Sequence, residues 1–233
     1  MLNELKKELN SIANPEKAQI LQRFFKTGKG EYGEGDIFLG IIVPEQRKIA
    51  KKYSDLTLNA LKELLNSEIH EHRLISLFIL INKYKKSDEA EKKKIFDFYL
   101  LNTRKINNWD LVDLSAPNIV GEYLANKNKD ILYSLAKSDN LWEKRIAVLS
   151  TFSFIKEKNF NNSLKISEML LNDKHDLIHK AVGWMLREIG KRNVNSEKEF
   201  LDKHYKVMPR TMLRYAIEKF PEEERKRYMD KNN

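Results

Sequence analysis

Apolar residues along this chain recur at intervals of three and four, with almost no strict alternation, which predicts amphipathic helices throughout. The segment HKAVGWMLREIGKR (residues 179–192) shows the pattern: Ala181, Val182, Met185, Leu186 and Ile189 form one apolar stripe. Pro44, Pro117 and Pro209 fall where helices are expected to begin, with Ser115 as the cap ahead of Pro117. Five of the eight glycines crowd into GKGEYGEGDIFLG (residues 28–40), which reads as a shaped loop. No Ser- or Pro-rich linker interrupts the chain, so residues 1–233 are expected to form a single domain.

The helices also look repetitive. Aligning HRLISLFILI, NWDLVDLSAP, KRIAVLSTFSF, HKAVGWMLREI and PRTMLRYAIEKF brings Arg73, Trp109, Arg145, Lys180 and Arg210 into register, 36, 36, 35 and 30 residues apart. Periods of this size indicate stacked helical pairs, each burying its apolar side on its neighbours. The expected fold is therefore all-α, a solenoid of stacked helical repeats in which equivalent positions line one concave surface. Four places on, the register holds Leu77, Asp113, Leu149, Trp184 and Arg214, putting Asp113 and Trp184 at equivalent sites.

Composition narrows the partner. Lys and Arg number 43 against 34 Asp and Glu, a net charge of +9, which favours a polyanion such as nucleic acid. With no cysteine, disulfides and thiolate zinc sites are excluded. The N-terminal stretch lacks the apolar core of a signal peptide, and the longest apolar run, LISLFILI (residues 74–81), is too short for a bilayer. A soluble cytoplasmic protein without a membrane association is expected.

Candidate chemistry centres on NNWDLVDLSAP (residues 107–117). Trp109 and Asp113, four residues apart, project the same way from a helix capped by Asn107 or Asn108. Two readings stand side by side: a packed Trp beside an Asp paired with a neighbouring Arg, or a site where a carboxylate and an aromatic plane meet a flat cation. Arg145 divides between an inter-repeat ion pair and a phosphate contact. Trp142 reads as core. Trp184 lies off its own apolar stripe among Lys180, Arg187 and Lys191, an arrangement suited to phosphates held by cations while an indole touches sugar or base. Residues 28–33 formally match GxGxxG, but no βαβ pattern surrounds them, and Glu31, Glu34 and Asp36 would repel a pyrophosphate; the loop's amides stay open to another ligand. His175 and His179 have helical metal spacing without a third ligand, and His70 and His72 face different sides of a helix. The run EAEKKKIF (residues 89–96) reads as a solvated helix face. No metal or cofactor is expected.

FFKTGKGEYGEGD, INNWDLVDLSAP, LWEKRIAVLSTFSFIK and HKAVGWMLREIGKR together, in this order and across residues 5 to 228, closely resemble the AlkD-type DNA alkylation repair enzymes, DNA glycosylases built from HEAT-like repeats. The resemblance implies a right-handed superhelical solenoid of HEAT-like repeats with a concave basic groove, an Asp at Asp113, Trp residues at Trp109 and Trp184 meeting the damaged nucleotide, and an Arg at Arg145 in the DNA cleft. It further implies removal of cationic N3- and N7-alkylated purines from duplex DNA without rotating the nucleotide into a pocket. From their place beside Trp184, Lys180 and Arg187 are expected to support Arg145 in holding phosphates. The expected protein is a monomer that joins the nucleoid when bound to DNA. Two other classes compete: a non-catalytic DNA-damage binder, and a helical-repeat scaffold for a protein partner.

Overall fold

A computed structural model describes residues 1–230 and builds them from helices; among these residues the only sheet-like pairing is an isolated parallel bridge between Ile37 and Ile69. In chain order the helices are α1 (Leu2–Ser11), α2 (Pro15–Phe24), α3 (Val43–Lys52), α4 (Leu58–Leu65), α5 (His70–Lys86), α6 (Glu89–Leu101) and α7 (Trp109–Ala116). There follow α8 (Glu122–Leu124), α9 (Asp130–Ala136), α10 (Leu141–Ser150), α11 (Phe152–Lys156), α12 (Asn161–Met169), α13 (Asp176–Gly190), α14 (Val194–His204), α15 (Arg210–Ala216) and α16 (Glu222–Met229). The all-α class agrees with the spacing of the apolar residues. Starts are set by side chains that accept the first free amides: Asn14, Thr57, Asp88, Asn140, His175 and Asn193 each cap a helix.

The chain divides into two compact units, Met1–Leu111 and Val112–Asn233, with the division inside α7. In the first, α3 and α4 pack against α5, whose run at residues 74–81 is buried on every side. In the second, α10 packs on α9 and α13, and α13 on α14 and α15. The aligned residues fall on α5, α7, α10, α13 and α15 in turn, and three of them do the same job. Arg73 donates to Ser67 O at 2.8 Å and to Asp36, Arg145 to Leu177 O and to Asp113, and Arg210 to Met229 O. The repeated basic position thus ties one element to the next.

Pro44 and Pro209 do mark helix starts, but Pro117 does not. From α7 the chain runs on through a π-helical segment, Pro117–Gly121, into α8, with α-region backbone angles at the joins. Ser115 is buried inside α7. Proline removes one amide from the ladder, and the wider turn absorbs the mismatch. Ser153 donates to Pro117 O at 2.7 Å, and Asn118 donates its side-chain amide to Leu114 O at 2.7 Å. Gly121 lets the segment close on α10, since a Cβ there would lie 2.3 Å from Ser150 O.

Candidate nucleic-acid repair site

In the second unit, Asp113 and Arg145 form a two-pronged ion pair. Arg145 Nε donates to Asp113 Oδ1 at 2.7 Å and Nη2 to Oδ2 at 2.8 Å, while Nη1 takes Leu177 O. One guanidinium therefore links α7, α10 and α13. Planar fork-to-carboxylate pairing sets the orientation of both groups. Arg145 is buried and Asp113 keeps 18 % of its side chain exposed. Of the two readings open for Arg145, the geometry realises the inter-helix ion pair, and each of its three nitrogens donates to a group inside the protein.

Trp184, half-buried on α13, lies 6.2 Å from the Phe152 ring. Lys156 and Arg192 stand over the other aromatic at 4.8 and 5.8 Å. The basic stripe beside Trp184 is balanced by acids: Lys180 pairs with Asp176 at 2.6 Å, Arg187 with Glu218, and Lys191 and Arg192 both with Glu188. Lys180 and Arg187 thus start from internal ion pairs, and Phe152, Lys156 and Arg192 are neighbours of Trp184 that spacing did not single out. Trp142, 7 % exposed, is core as expected.

In the first unit, Trp109 is packed and oriented. Its ring stacks on Phe25 at 5.0 Å and 15°, Phe24 meets it edge-on at 5.9 Å, and its indole N–H donates to Tyr32 Oη at 3.2 Å. Asn108, just ahead of α7, accepts the amide of Trp109, the first residue of that helix, at 2.8 Å. Tyr32 belongs to the glycine-rich loop, whose amides are largely used within the unit. Glu31 and Glu34 accept from Gly28 and Gly30, and the buried Glu71 accepts from Leu39, Gly40 and Ile41. Gly40, at φ +80°, sits where a Cβ would meet Asn14 O at 2.1 Å, so the loop is clamped against α2.

Spacing also missed a buried charge cluster. Asp36 accepts from Arg73 Nη2 at 2.6 Å and from Asn108 Nδ2 at 3.1 Å, and pairs with His70 Nδ1 at 3.1 Å. The other ring nitrogen, His70 Nε2, lies 2.8 Å from Asp110 Oδ2. Burial opposes charge on Asp36, but His70, Arg73 and Asn108 outweigh it and hold the carboxyl below the usual range. Burial likewise opposes charge on His70, and Asp110 and Asp36 outweigh it and raise the imidazole above its ordinary value. His175, weighed as a metal ligand, instead caps α13 by accepting the Leu177 amide at 3.1 Å.

Residues 5–220 match the model of a family described as DNA alkylation repair enzymes. No protein of curated function matches the chain by sequence. Among solved structures it is similar to a protein from Enterococcus faecalis described as a predicted DNA alkylation repair enzyme, at 18% identity and TM-score 0.69, covering 90% of this chain and 97% of that one. It is also similar to AlkD2 from Streptococcus mutans, at 19% identity and TM-score 0.56, covering 89% and 98%. At these identities the likeness establishes a shared helical fold. No helix among the described residues is long and apolar enough to cross a membrane.

Proposed function

Because the chain belongs to the DNA alkylation repair enzyme family, we propose that it hydrolyses the N-glycosidic bond of cationic N3- and N7-alkylated purines in duplex DNA, acting as a monomer and without an extrusion pocket. The observation that carries this reading is a carboxylate held in a fixed plane by Arg145 while part of its surface stays open, one helical turn from Trp109.

An N3- or N7-alkylpurine already bears the positive charge that makes it a leaving group, so no general acid is required. The C1′–N9 bond breaks with its electron pair passing to the purine, which leaves neutral, and positive charge develops on the sugar as an oxocarbenium ion. Asp113 faces that charge, stabilises it electrostatically, and takes a proton from the water that attacks C1′. Arg145 acts through Asp113: the guanidinium denies it rotation, so little reorganisation is needed as charge develops. Trp109 and Trp184 offer indole faces to the cationic nucleotide, an attraction of about 0.5–2 kcal/mol each. Lys180 and Arg187 hold phosphates by exchanging their partners Asp176 and Glu218 for the backbone.

The test is release of free base. Methylated duplex DNA incubated with the protein should yield 7-methylguanine and 3-methyladenine and leave alkali-labile abasic sites. Binding to the duplex with no base released and no abasic sites would favour the damage-binding alternative.

A further inference from the structure

His70 is 1% exposed, yet both of its ring nitrogens face carboxylates. A neutral imidazole carries one N–H and can satisfy only one of them; the imidazolium satisfies both. The charges then balance, with Asp36 and Asp110 against His70 and Arg73. The other charged groups around the ring are accounted for: Glu71, on the same helix, is occupied by three backbone amides, and Lys17 of α2 lines the cavity of about 290 Å³ that His70 and Asp110 share.

This cluster is joined to Trp109 by two routes. Through hydrogen bonds, Asp36 takes Asn108 Nδ2 while Asn108 Oδ1 takes the Trp109 amide, and Asp110 follows Trp109 in the first turn of α7. Through rings, Phe38 stacks on His70 at 4.4 Å, Phe25 on Phe38 at 4.9 Å, and Trp109 on Phe25 at 5.0 Å.

We propose that His70 is a positioning residue: as an imidazolium bridging Asp36 and Asp110, it fixes the start of α7 and with it the plane that Trp109 offers to the lesion. The second half of that statement rests on the reading of Trp109 as a lesion contact. Loss of one ring proton turns a lone pair toward a carboxylate, so one of the two links becomes repulsive. Because the folded protein raises the His70 pKa, the bridge is complete below the ordinary imidazole value and is lost as pH rises through the raised one. Base release should therefore fall on an alkaline limb belonging to His70.

The experiment is ¹⁵N NMR of the full chain labelled at histidine, with His70 assigned from His70→Gln. Both His70 ring nitrogens should carry protons at about pH 7, and Trp109 emission, assigned from Trp109→Phe, should titrate with the same midpoint. Asp110→Asn should lower that midpoint by at least ~1 pH unit, a tenfold change in proton affinity. The alkaline limb of single-turnover base release should move with it, while DNA affinity at neutral pH changes by less than about threefold, a gap of under ~0.7 kcal/mol. If Asp110→Asn does not fold, Asp36→Asn puts the same question to the other ring nitrogen. A single proton on His70 at neutral pH overturns the proposal, as does Trp109 emission that ignores the His70 midpoint. So does an alkaline limb that stays in place when that midpoint moves. If the wild type releases no base, the excision reading fails by itself, and the NMR and emission titrations still decide the bridge.

Discussion

Asp110 and Asp113 lie one turn apart on α7 and are equally exposed, at 18% of each side chain, yet they are held by cations of different kinds. In the first unit Asp110 meets His70, whose charge depends on pH and which is itself shared with Asp36. In the second, Asp113 meets the planar fork of Arg145, a group that stays charged at any accessible pH. Exposure does not separate the two carboxylates; the partner does. A carboxylate required to face developing positive charge through every turnover gains from a partner that neither titrates nor rotates. One that anchors a helix start can be built around a proton, and its hold then varies with pH.

The largest effect expected from breaking this contrast is on stability in the second unit. Arg145→Ala removes the buried partner of the part-exposed Asp113 and should destabilise the protein by about 3 kcal/mol in urea unfolding, the low end of the range for breaking a buried pair. It should also depress base release while leaving the salt dependence of DNA binding nearly unchanged, because Arg145 is buried and each of its nitrogens is bonded inside the protein. A flattened salt dependence would return Arg145 to the phosphates.

The second unit also contains a titrating group, which sharpens the contrast. Glu197 is 2% exposed, and burial, only partly offset by Arg187 and Lys198, pushes its carboxyl from 4.5 up to about 8. Its folded value lies above its unfolded one, so its contribution to stability is full below about 4.5 and is lost as pH rises through about 8. Melting temperatures of Glu197→Gln across this range should decline less on the alkaline side than those of the wild type. Parallel curves would remove Glu197 as the source of alkaline instability in this unit.

The smallest effect concerns the rim. Lys180→Ala breaks an exposed i,i+4 pair with Asp176 and should cost under about 0.5 kcal/mol of stability. It should reduce the slope of log affinity against log salt by about one if Lys180 exchanges Asp176 for a phosphate. An unchanged slope would confine it to the surface pair.

The helices were largely legible in the sequence, because burying one face of a helix imposes a period. The stripe from Ala181 to Ile189 is buried on α13, Trp142 is core, and Pro44 and Pro209 open helices. Pro117 misled because a proline at a helix start and a proline absorbed by a π turn look alike locally; what distinguishes them is Ser153, 36 residues on, bonding the Pro117 carbonyl. The site was half legible. WDLVD exposes Trp109 and Asp113 to inspection through their helical spacing, but the choice between phosphate and carboxylate for Arg145 depends on a partner 32 residues away. Asp36, His70 and Asp110 escaped for the same reason, lying 34 and 40 residues apart across their two contacts. The one local hint was a histidine and an arginine on the same face of α5, at positions 70 and 73.

The central claim, that Asp113 is the carboxylate that faces the reacting sugar while Asp110 serves the scaffold, is tested most directly by single-turnover release of 7-methylguanine and 3-methyladenine from methylated duplex DNA. Wild type, Asp113→Asn and Asp110→Asn would be run side by side across pH, with DNA affinity measured for each. Asp113→Asn should bind DNA as well as wild type or better and release base at least about tenfold more slowly at every pH, a barrier change of ~1.4 kcal/mol. Asp110→Asn should retain release at low pH and shift only the alkaline limb. Release by Asp113→Asn at the wild-type rate, with its fold intact, would contradict the account.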